Sequence, residues 1–230
     1  AHGRQRPPVH DRAQVEDPRR HVAGRELDRV VPERMAGGGL EGLGGVHGPA
    51  VCQGGRWYRR RVVRLSIVIP TLNRAGVLAQ ALDRLAAQTA PPGSFEVVVV
   101  SDPEEREPAA LERALAGRPF AVEHLVRSAP GVSAARNAGW RAARAPLVLF
   151  LGDDILAGPG LVAEHLAWHD RHPRDEVGVL GPVRWARRLR VTPFMAWLEH
   201  GVQFDFRSIE GEEAGWGRFY TSNASVKRAM

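Results

Sequence analysis

The hydrophobic pattern divides the chain at about residue 62. Downstream of that point, short apolar runs rich in β-branched residues alternate with segments whose apolar positions recur at helical spacing. Continuous apolar runs are typical of strands buried on both faces of a sheet, and the helical spacing indicates amphipathic helices. The predicted strands are 65–69, 95–100, 121–126, 147–151 and 177–183, and the predicted helical segments are 77–85, 107–116, 133–145 and 159–169.

This order of elements predicts an α/β fold, in which helices cover both faces of a mostly parallel, doubly wound, Rossmann-like sheet. Pro70 is expected to end the first strand, and Asn73 is expected to cap the helix that follows it. Residues 184–220 lose the alternation and hold several aromatic side chains. We expect either an insertion or the start of a second layer there.

The first 61 residues carry no such pattern. They contain no Ser, Thr, Lys, Asn, Ile or Phe, although Arg and Gly are abundant. Two interpretations stay open, a disordered extension and a non-native one translated from upstream of the true start. Gly37, Gly39 and Gly42 match the spacing of a dinucleotide-binding loop, but no strand precedes them and no helical pattern follows. We interpret that match as chance.

The net charge of +6 lies mainly in this N-terminal segment. Residues 1–61 hold 12 arginines against 7 acidic residues, whereas residues 62–230 hold 20 basic and 19 acidic residues. A nucleic-acid partner requires a basic surface on the folded part, so we exclude one. The single cysteine, Cys52, excludes an internal disulfide framework and suits a reducing compartment. We expect a cytoplasmic protein and leave open its peripheral association with the inner face of the membrane.

Polar residues follow three of the predicted strands at the point where each strand ends. Thr71 and Asn73 follow the first strand, Asp102 follows the second, and the pair Asp153-Asp154 follows the fourth. In open α/β sheets the ligand binds beyond the carboxyl ends of the strands. We therefore expect these side chains to meet at one edge of the sheet.

The adjacent carboxylates of Asp153 and Asp154 repel each other unless water or a cation neutralises them. Mg²⁺ and Mn²⁺ bind through one or two carboxylates together with substrate phosphates, so the pair suits a metal-bridged diphosphate. A solvated turn is the alternative interpretation, although the strongly apolar strand before the pair favours the metal. The sequence has no glycine-rich phosphate loop after the first strand.

Three histidines, His165, His169 and His172, lie at helical spacing, which is compatible with a zinc site. Their order does not match HExxH, and a histidine near a helix C-terminus is favourable without a metal. We interpret them as structural residues.

Five ordered segments resemble the family-2 glycosyltransferases, which have the nucleotide-sugar-binding fold called GT-A. These segments are LSIVIPTLNR (65–74), FEVVVVSD (95–102), GVSAARNAG (131–139), LFLGDD (149–154) and TSNAS (221–225). The resemblance covers about residues 62–230, and the ordered set is specific although each motif alone is weak.

The resemblance implies that Pro70, Thr71 and Asn73 line the nucleotide base and that Asp102 hydrogen-bonds it. The neighbours of Asp102 differ from the family pattern, so the identity of the base stays open. The alternative interpretation is that Asp102 is an ordinary turn residue.

The resemblance also implies that Arg136 and Asn137 face the nucleotide, with a solvated helix charge as the alternative for Arg136. Asp153 would lie near the ribose, and Asp154 would bind Mn²⁺ or Mg²⁺ in an Asp-x-Asp-type site. The side facing the donor sugar and the acceptor would include Ser222 and Asn223.

The implied reaction is the inverting transfer of a sugar from a nucleoside-diphosphate donor to a hydroxyl of a sugar, lipid or protein acceptor. In the family the general base follows the segment matched by 221–225. We expect it beyond Met230, with residues 62–230 forming a catalytic domain truncated at its C-terminus. A sugar nucleotidyltransferase and a non-catalytic nucleotide-binding module are the rival interpretations. The missing glycine-rich loop argues against the first, and the charge distribution argues against the second.

Overall fold

The computed structural model describes residues 13–14, 50–53, 56–59, 62–201 and 204–229. The chain forms two units, one of residues 1–17 with 63–230 and one of residues 18–62. The glycines at 37, 39 and 42 and most of the expected N-terminal extension lie outside the described residues. Within the smaller unit, two strands form an antiparallel hairpin.

The strands follow one another in the order β1 (Ala13–Gln14), β2 (Ala50–Gln53), β3 (Arg56–Arg59), β4 (Leu65–Thr71), β5 (Phe95–Ser101), β6 (Ala121–Val126), β7 (Leu147–Leu151), β8 (Ile155–Leu156), β9 (Val179–Leu180) and β10 (Asn223–Lys227). The main sheet has the order β6-β5-β4-β7-β10-β9, and within the described residues β1 pairs with β8 in a separate two-stranded sheet. Strands β6, β5, β4 and β7 are parallel, whereas β10 is antiparallel to both β7 and β9. The predicted mostly parallel α/β sheet is confirmed.

Helices cover both faces of this sheet, as the apolar pattern predicts. They are α1 (Ala75–Ala86), α2 (Pro108–Leu115), α3 (Val132–Ala142) and α4 (Leu161–Arg171), whereas α5 (Pro193–Leu198) has no buried residue. One buried cluster joins α1, α2 and α4 to the sheet through side chains such as Ile67 and Val99. Their neighbours Val68 and Val100 point the other way and pack under α3. Alternate residues of a strand point to opposite faces, which explains why the central strands are apolar throughout.

Pro70 does not end the first strand, contrary to the sequence-based expectation. β4 continues to Thr71, with Pro70 opposite Val100 of β5. On the opposite side of β4, β7 pairs only with residues Leu65 to Val68. No hydrogen bond to β7 therefore requires the N–H group that Pro70 lacks. The strand consequently delivers Thr71 to the edge of the sheet in a fixed orientation.

Asn73 does not cap α1. The N-cap position belongs to Arg74, and no side chain caps the helix. Asn73 adopts a left-handed conformation with φ of 53°, which asparagine tolerates better than most residues. Its side-chain Oδ1 accepts a hydrogen bond from the backbone N–H of Arg106 at 2.7 Å, and its own N–H donates to Glu105 at 2.7 Å. Asn73 therefore joins the loop after β4 to the loop after β5.

The predicted strand 177–183 is wrong in its length. Only Val179 and Leu180 form a strand, and they pair with the antiparallel β10. Gly178, Gly181 and Pro182 flank these two residues, and glycine and proline are poor strand formers. The parallel part of the sheet therefore ends at β7.

Candidate functional site

The end of β4 and the loop after β7 meet at the carboxyl edge of the sheet through a buried hydrogen bond. The hydroxyl of Thr71 donates to Oδ2 of Asp153 at 2.9 Å, and both side chains are buried. These residues are 82 positions apart in the chain. Adjacent parallel strands bring them together, as the strand-end rule predicts.

Arg74 binds both acidic residues of the Asp153-Asp154 pair. Its Nη1 donates to Oδ1 of Asp153 at 2.8 Å, and its Nη2 donates to Oδ2 of Asp154 at 3.1 Å. The sequence motif includes Arg74, but sequence reasoning assigned it no role. An arginine directly after one strand end and two acids after a neighbouring strand end were the available signal.

The environment of Asp153 raises the pKa of its carboxyl group to about 6. Burial is the main cause, and the charge of Asp154 adds to it, whereas Arg74 and the Thr71 hydrogen bond act in the opposite direction. Any further positive charge near a carboxyl group with a raised pKa stabilises the ionised form of that group. The pair is therefore an electrostatically favourable place for a cation.

Two neighbouring carboxylates match the oxygen ligands that Mg²⁺ and Mn²⁺ prefer. In the part of the chain that the structure describes, no group of three or more His, Cys, Asp or Glu side chains could hold a metal. The pair fits an ion that takes its remaining ligands from water and a substrate phosphate, and Asp153 and Asp154 would hold it.

Asp102 lies at the end of β5 and binds the loop that leads into α3. Its Oδ2 accepts a hydrogen bond from the backbone N–H of Gly131 at 3.0 Å, and its Oδ1 accepts one from Glu104 at 3.3 Å. Gly131 has a φ of 132°, which favours glycine. Asp102 thus fixes the position at which α3 begins.

Arg136 and Asn137 lie one turn into α3. Asn137 is exposed, whereas Arg136 is half-buried. Burial lowers the pKa of Arg136, and the nearby Tyr220 acts in the opposite direction. Among the side chains that the structure describes, the buried Nε of Arg136 has no hydrogen-bond partner. A partly desolvated guanidinium with an unused N–H is well suited to bind a phosphate or carboxylate.

The structure places Ser222 beside the acidic loop and Asn223 away from it. The backbone carbonyl of Ser222 accepts a hydrogen bond from the N–H of Gly152 at 3.1 Å. The side chain of Asn223 is fully buried against α4, and its Oδ1 lies 3.0 Å from Nε2 of His165. The alternation along β10 turns the side chain of Asn223 into the core, so the expected position of Asn223 on the sugar side stays a prediction.

His165 and His169 belong to the same buried polar group as Asn223. Nδ1 of His165 lies 2.7 Å from the hydroxyl of Ser225, and Nε2 of His169 lies 2.8 Å from the same hydroxyl. His172 is outside this group and stacks on Trp168. These contacts support the structural interpretation of the histidines.

The segment 184–220 contains the short helix α5 and a cavity of about 200 Å³. Trp185 and Phe204 line this cavity, and their aromatic rings pack at a tilt with the ring centroids 5.4 Å apart. Phe204 and Phe206 also pack against the core of the sheet. Most of the segment's other aromatic side chains are exposed, including Phe194, Trp197 and Trp216.

Comparison with known proteins places these features in a family. Residues 66–208 match the family model described as Glycosyl transferase family 2. Validoxylamine A glucosyltransferases from Streptomyces hygroscopicus subsp. limoneus and subsp. jinggangensis are both 32% identical to the chain over 197 residues. The match covers 72% of this chain and 42% and 44% of theirs, so the chain spans less than half the length of these curated relatives.

A similar fold occurs in a mannosyltransferase from Pyrobaculum calidifontis, solved in complex with GDP-Man and Mn²⁺. The two structures superpose with a TM-score of 0.50 at 22% sequence identity, over 72% of this chain and 45% of that one. The likeness shows that the described sheet has the GT-A architecture.

Proposed function

Because the chain belongs to glycosyl transferase family 2, we propose that it transfers a sugar from a nucleoside-diphosphate donor to an acceptor hydroxyl, with inversion at the sugar carbon. The observation that carries this proposal is the meeting of Thr71, Arg74, Asp153 and Asp154 at the carboxyl edge of the parallel strands. Asp102 lies at the neighbouring strand end, so the binding edge extends across three adjacent strands.

In this proposal the parts of the edge have different tasks. Pro70, Thr71 and Asn73 lie against the base with Asp102, and Asp153 lies by the ribose. Asp154 with Asp153 holds Mn²⁺ or Mg²⁺. Such an ion neutralises the charge that develops on the departing diphosphate.

Helix α3 supplies the positive charge that faces the phosphates. The half-buried guanidinium of Arg136 has an unused N–H, which an oxygen of the diphosphate would accept. Asn137 is exposed one residue further on, where it can contact the same ligand. Ser222, beside Gly152, would border the donor sugar.

The reaction also needs a carboxylate that removes the proton of the acceptor hydroxyl. Glu210, Glu212 and Glu213 are exposed and precede β10, and we assign none of them this role. The donor sugar and the acceptor are not assigned.

Calorimetry with UDP tests the proposed donor class. We expect the protein to bind UDP, and to bind it more tightly with Mn²⁺ than with a chelator, because Asp153 and Asp154 would hold an ion whose charge attracts the diphosphate. Absence of binding to both UDP and GDP, with and without Mn²⁺, would contradict the proposal. Tight binding of a nucleoside triphosphate together with turnover of a sugar phosphate would favour the rival nucleotidyltransferase.

We also propose a cytoplasmic protein that touches a membrane surface through residues 184–198. No helix within the described residues is long and apolar enough to cross a membrane. The segment instead combines basic and aromatic side chains. Arg184, Arg187, Arg188 and Arg190 are exposed, and the side chains of Phe194 and Trp197 on α5 are 64% and 66% exposed. Arginines beside exposed aromatic residues are typical of segments that bind anionic lipid surfaces.

Vesicle binding tests this surface. We expect sedimentation with vesicles made of equal parts phosphatidylglycerol and phosphatidylcholine, and about tenfold weaker binding by the Phe194→Ser/Trp197→Ser double variant. Trp216→Ser is the matched control, because Trp216 is 94% exposed but lies outside the segment. Equal binding by the double variant and the control would refute the proposed surface.

A further inference from the structure

Arg74 occupies the position at which a divalent cation would meet the acidic pair. One guanidinium nitrogen binds Asp153 and another binds Asp154, so a single positive side chain is shared by both carboxylates and neutralises only part of their charge. We propose that Arg74 is an exchangeable internal counter-ion, which a divalent cation has to displace from Asp154 before it can bind. This inference deepens the proposed function, because it assigns a control on metal entry to the same site.

The two contacts of Arg74 differ in a way that makes Asp154 the exchangeable partner. The contact with Asp153 is 2.8 Å and that carboxylate is 7% exposed, whereas the contact with Asp154 is 3.1 Å and that side chain is 16% exposed. Asp153 is held additionally by Thr71. A cation arriving from solvent therefore reaches Asp154 more easily and breaks the longer contact first.

The guanidinium of Arg74 is only partly satisfied in this arrangement. Its Nε is buried and, among the described side chains, has no hydrogen-bond partner. The side chain as a whole is 27% exposed, so it has room to reorient toward solvent. A buried donor without an acceptor raises the free energy of the state that holds it. That cost favours a second position in which the guanidinium finds more acceptors.

The backbone of Arg74 is fixed while its side chain is long and flexible. Its carbonyl accepts hydrogen bonds from the N–H groups of Val77 and Leu78 at 2.9 Å each, which begins helix α1. Asn73 before it is tied to the loop after β5. Release from Asp154 therefore moves the charge by a few ångströms and keeps it at the same strand edge.

An arriving nucleotide would give the released guanidinium a new anionic partner. Arginine binds phosphate through two parallel N–H groups, and a diphosphate brings such acceptors to this edge. Metal and nucleotide would then bind cooperatively. The cation releases the guanidinium of Arg74 from Asp154, and the phosphates stabilise the released guanidinium. The metal-free contact of Arg74 with Asp154 would make binding of the cation alone weak.

Titration of the protein with Mn²⁺ alone, followed by calorimetry, tests the inference without any turnover. We expect Arg74→Gln to bind Mn²⁺ about tenfold more tightly than the wild type, because one positive charge leaves the carboxylates. Arg74→Lys keeps the charge and should stay within about threefold of the wild type. Arg64→Gln is the matched control, since Arg64 pairs with Asp170 away from the acidic pair.

Unchanged or weaker Mn²⁺ binding by Arg74→Gln would overturn the inference. Thermal unfolding checks that the variants are folded, and Arg74→Met, which keeps the length of the side chain, repeats the test if Arg74→Gln unfolds. Parallel titrations with UDP in a chelator separate this inference from the proposed function. Tighter Mn²⁺ binding without any UDP binding would support the counter-ion and contradict the donor class. UDP binding, together with Mn²⁺ binding by Arg74→Gln that equals that of the wild type, would support the donor class and contradict the counter-ion.

Discussion

Replacing Asp154 by asparagine is expected to weaken UDP binding in the presence of Mn²⁺ by about 2 to 4 kcal/mol, roughly 30- to 1,000-fold. The same variant should bind UDP almost normally in a chelator. Asp154 is the more exposed acid of the pair, and it forms an ion pair with Arg74. Its loss should therefore remove a metal ligand and leave the rest of the strand edge in place.

Two further variants make this result specific. Asp153→Asn should weaken binding under both conditions, because Asp153 is buried and joins Thr71 to Arg74. Asp170→Asn changes an exposed carboxylate that pairs with Arg64, and it should have no effect in either condition. An equal loss for Asp154→Asn with Mn²⁺ and with a chelator would show that Asp154 has a structural role instead.

The sequence predicts the parallel half of the domain well because its signals there are local and redundant. Leu147–Leu151 and Ala121–Val126 form strands with the predicted bounds. Burial on both faces requires unbroken apolar runs, and such runs are visible without any knowledge of partners. The meeting of Thr71 with Asp153 follows from the general rule that parallel strands end at a common edge.

The features that escaped prediction depend on contacts between distant parts of the chain. The side chain of Arg74 reaches acids 79 and 80 positions away, and its direction is set by packing rather than by the motif around it. The orientation of Asn223 depends on the antiparallel register of β10 against β7, which places Asn223 opposite Leu151. No local pattern distinguishes that register from one shifted by a residue, which would turn the side chain to the other face.

The buried histidines suggest a strong dependence of stability on pH. His165 and His169 are 3% and 4% exposed and share the hydroxyl of Ser225. Oδ1 of Asn223 can only accept, so Nε2 of His165 donates to it and Nδ1 accepts from Ser225. The Ser225 oxygen then accepts from Nε2 of His169, whose Nδ1 faces the ammonium of Lys227 at 3.4 Å. The ring nitrogens of His165 and His169 and the hydroxyl of Ser225 are matched donor to acceptor only when both histidines are neutral.

Acidification is therefore expected to destabilise the fold between about pH 6.5 and pH 4. Burial is the main reason that the pKa of each histidine falls to about 4, and the charges of Lys227 and His165 contribute to this lowering for His169. The unfolded chain binds protons at the ordinary histidine pKa, so within this window it holds more protons than the native state. The free energy of unfolding should be unaffected by this pair above pH 6.5 and should fall by up to about 1.4 kcal/mol per histidine for each pH unit below it.

Urea unfolding of the wild type and of His169→Gln at pH 7.5, 6.5 and 5.5 measures this dependence. We expect His169→Gln to be less stable at pH 7.5, because glutamine cannot reproduce the ring's contacts with Ser225 and Lys227. Its loss of stability toward pH 5.5 should be about half that of the wild type, since only His165 still resists protonation. His200→Gln removes an exposed histidine outside the buried group and should keep the wild-type slope. Equal slopes for the wild type and His169→Gln would mean that the pair does not set the acid limit of the fold.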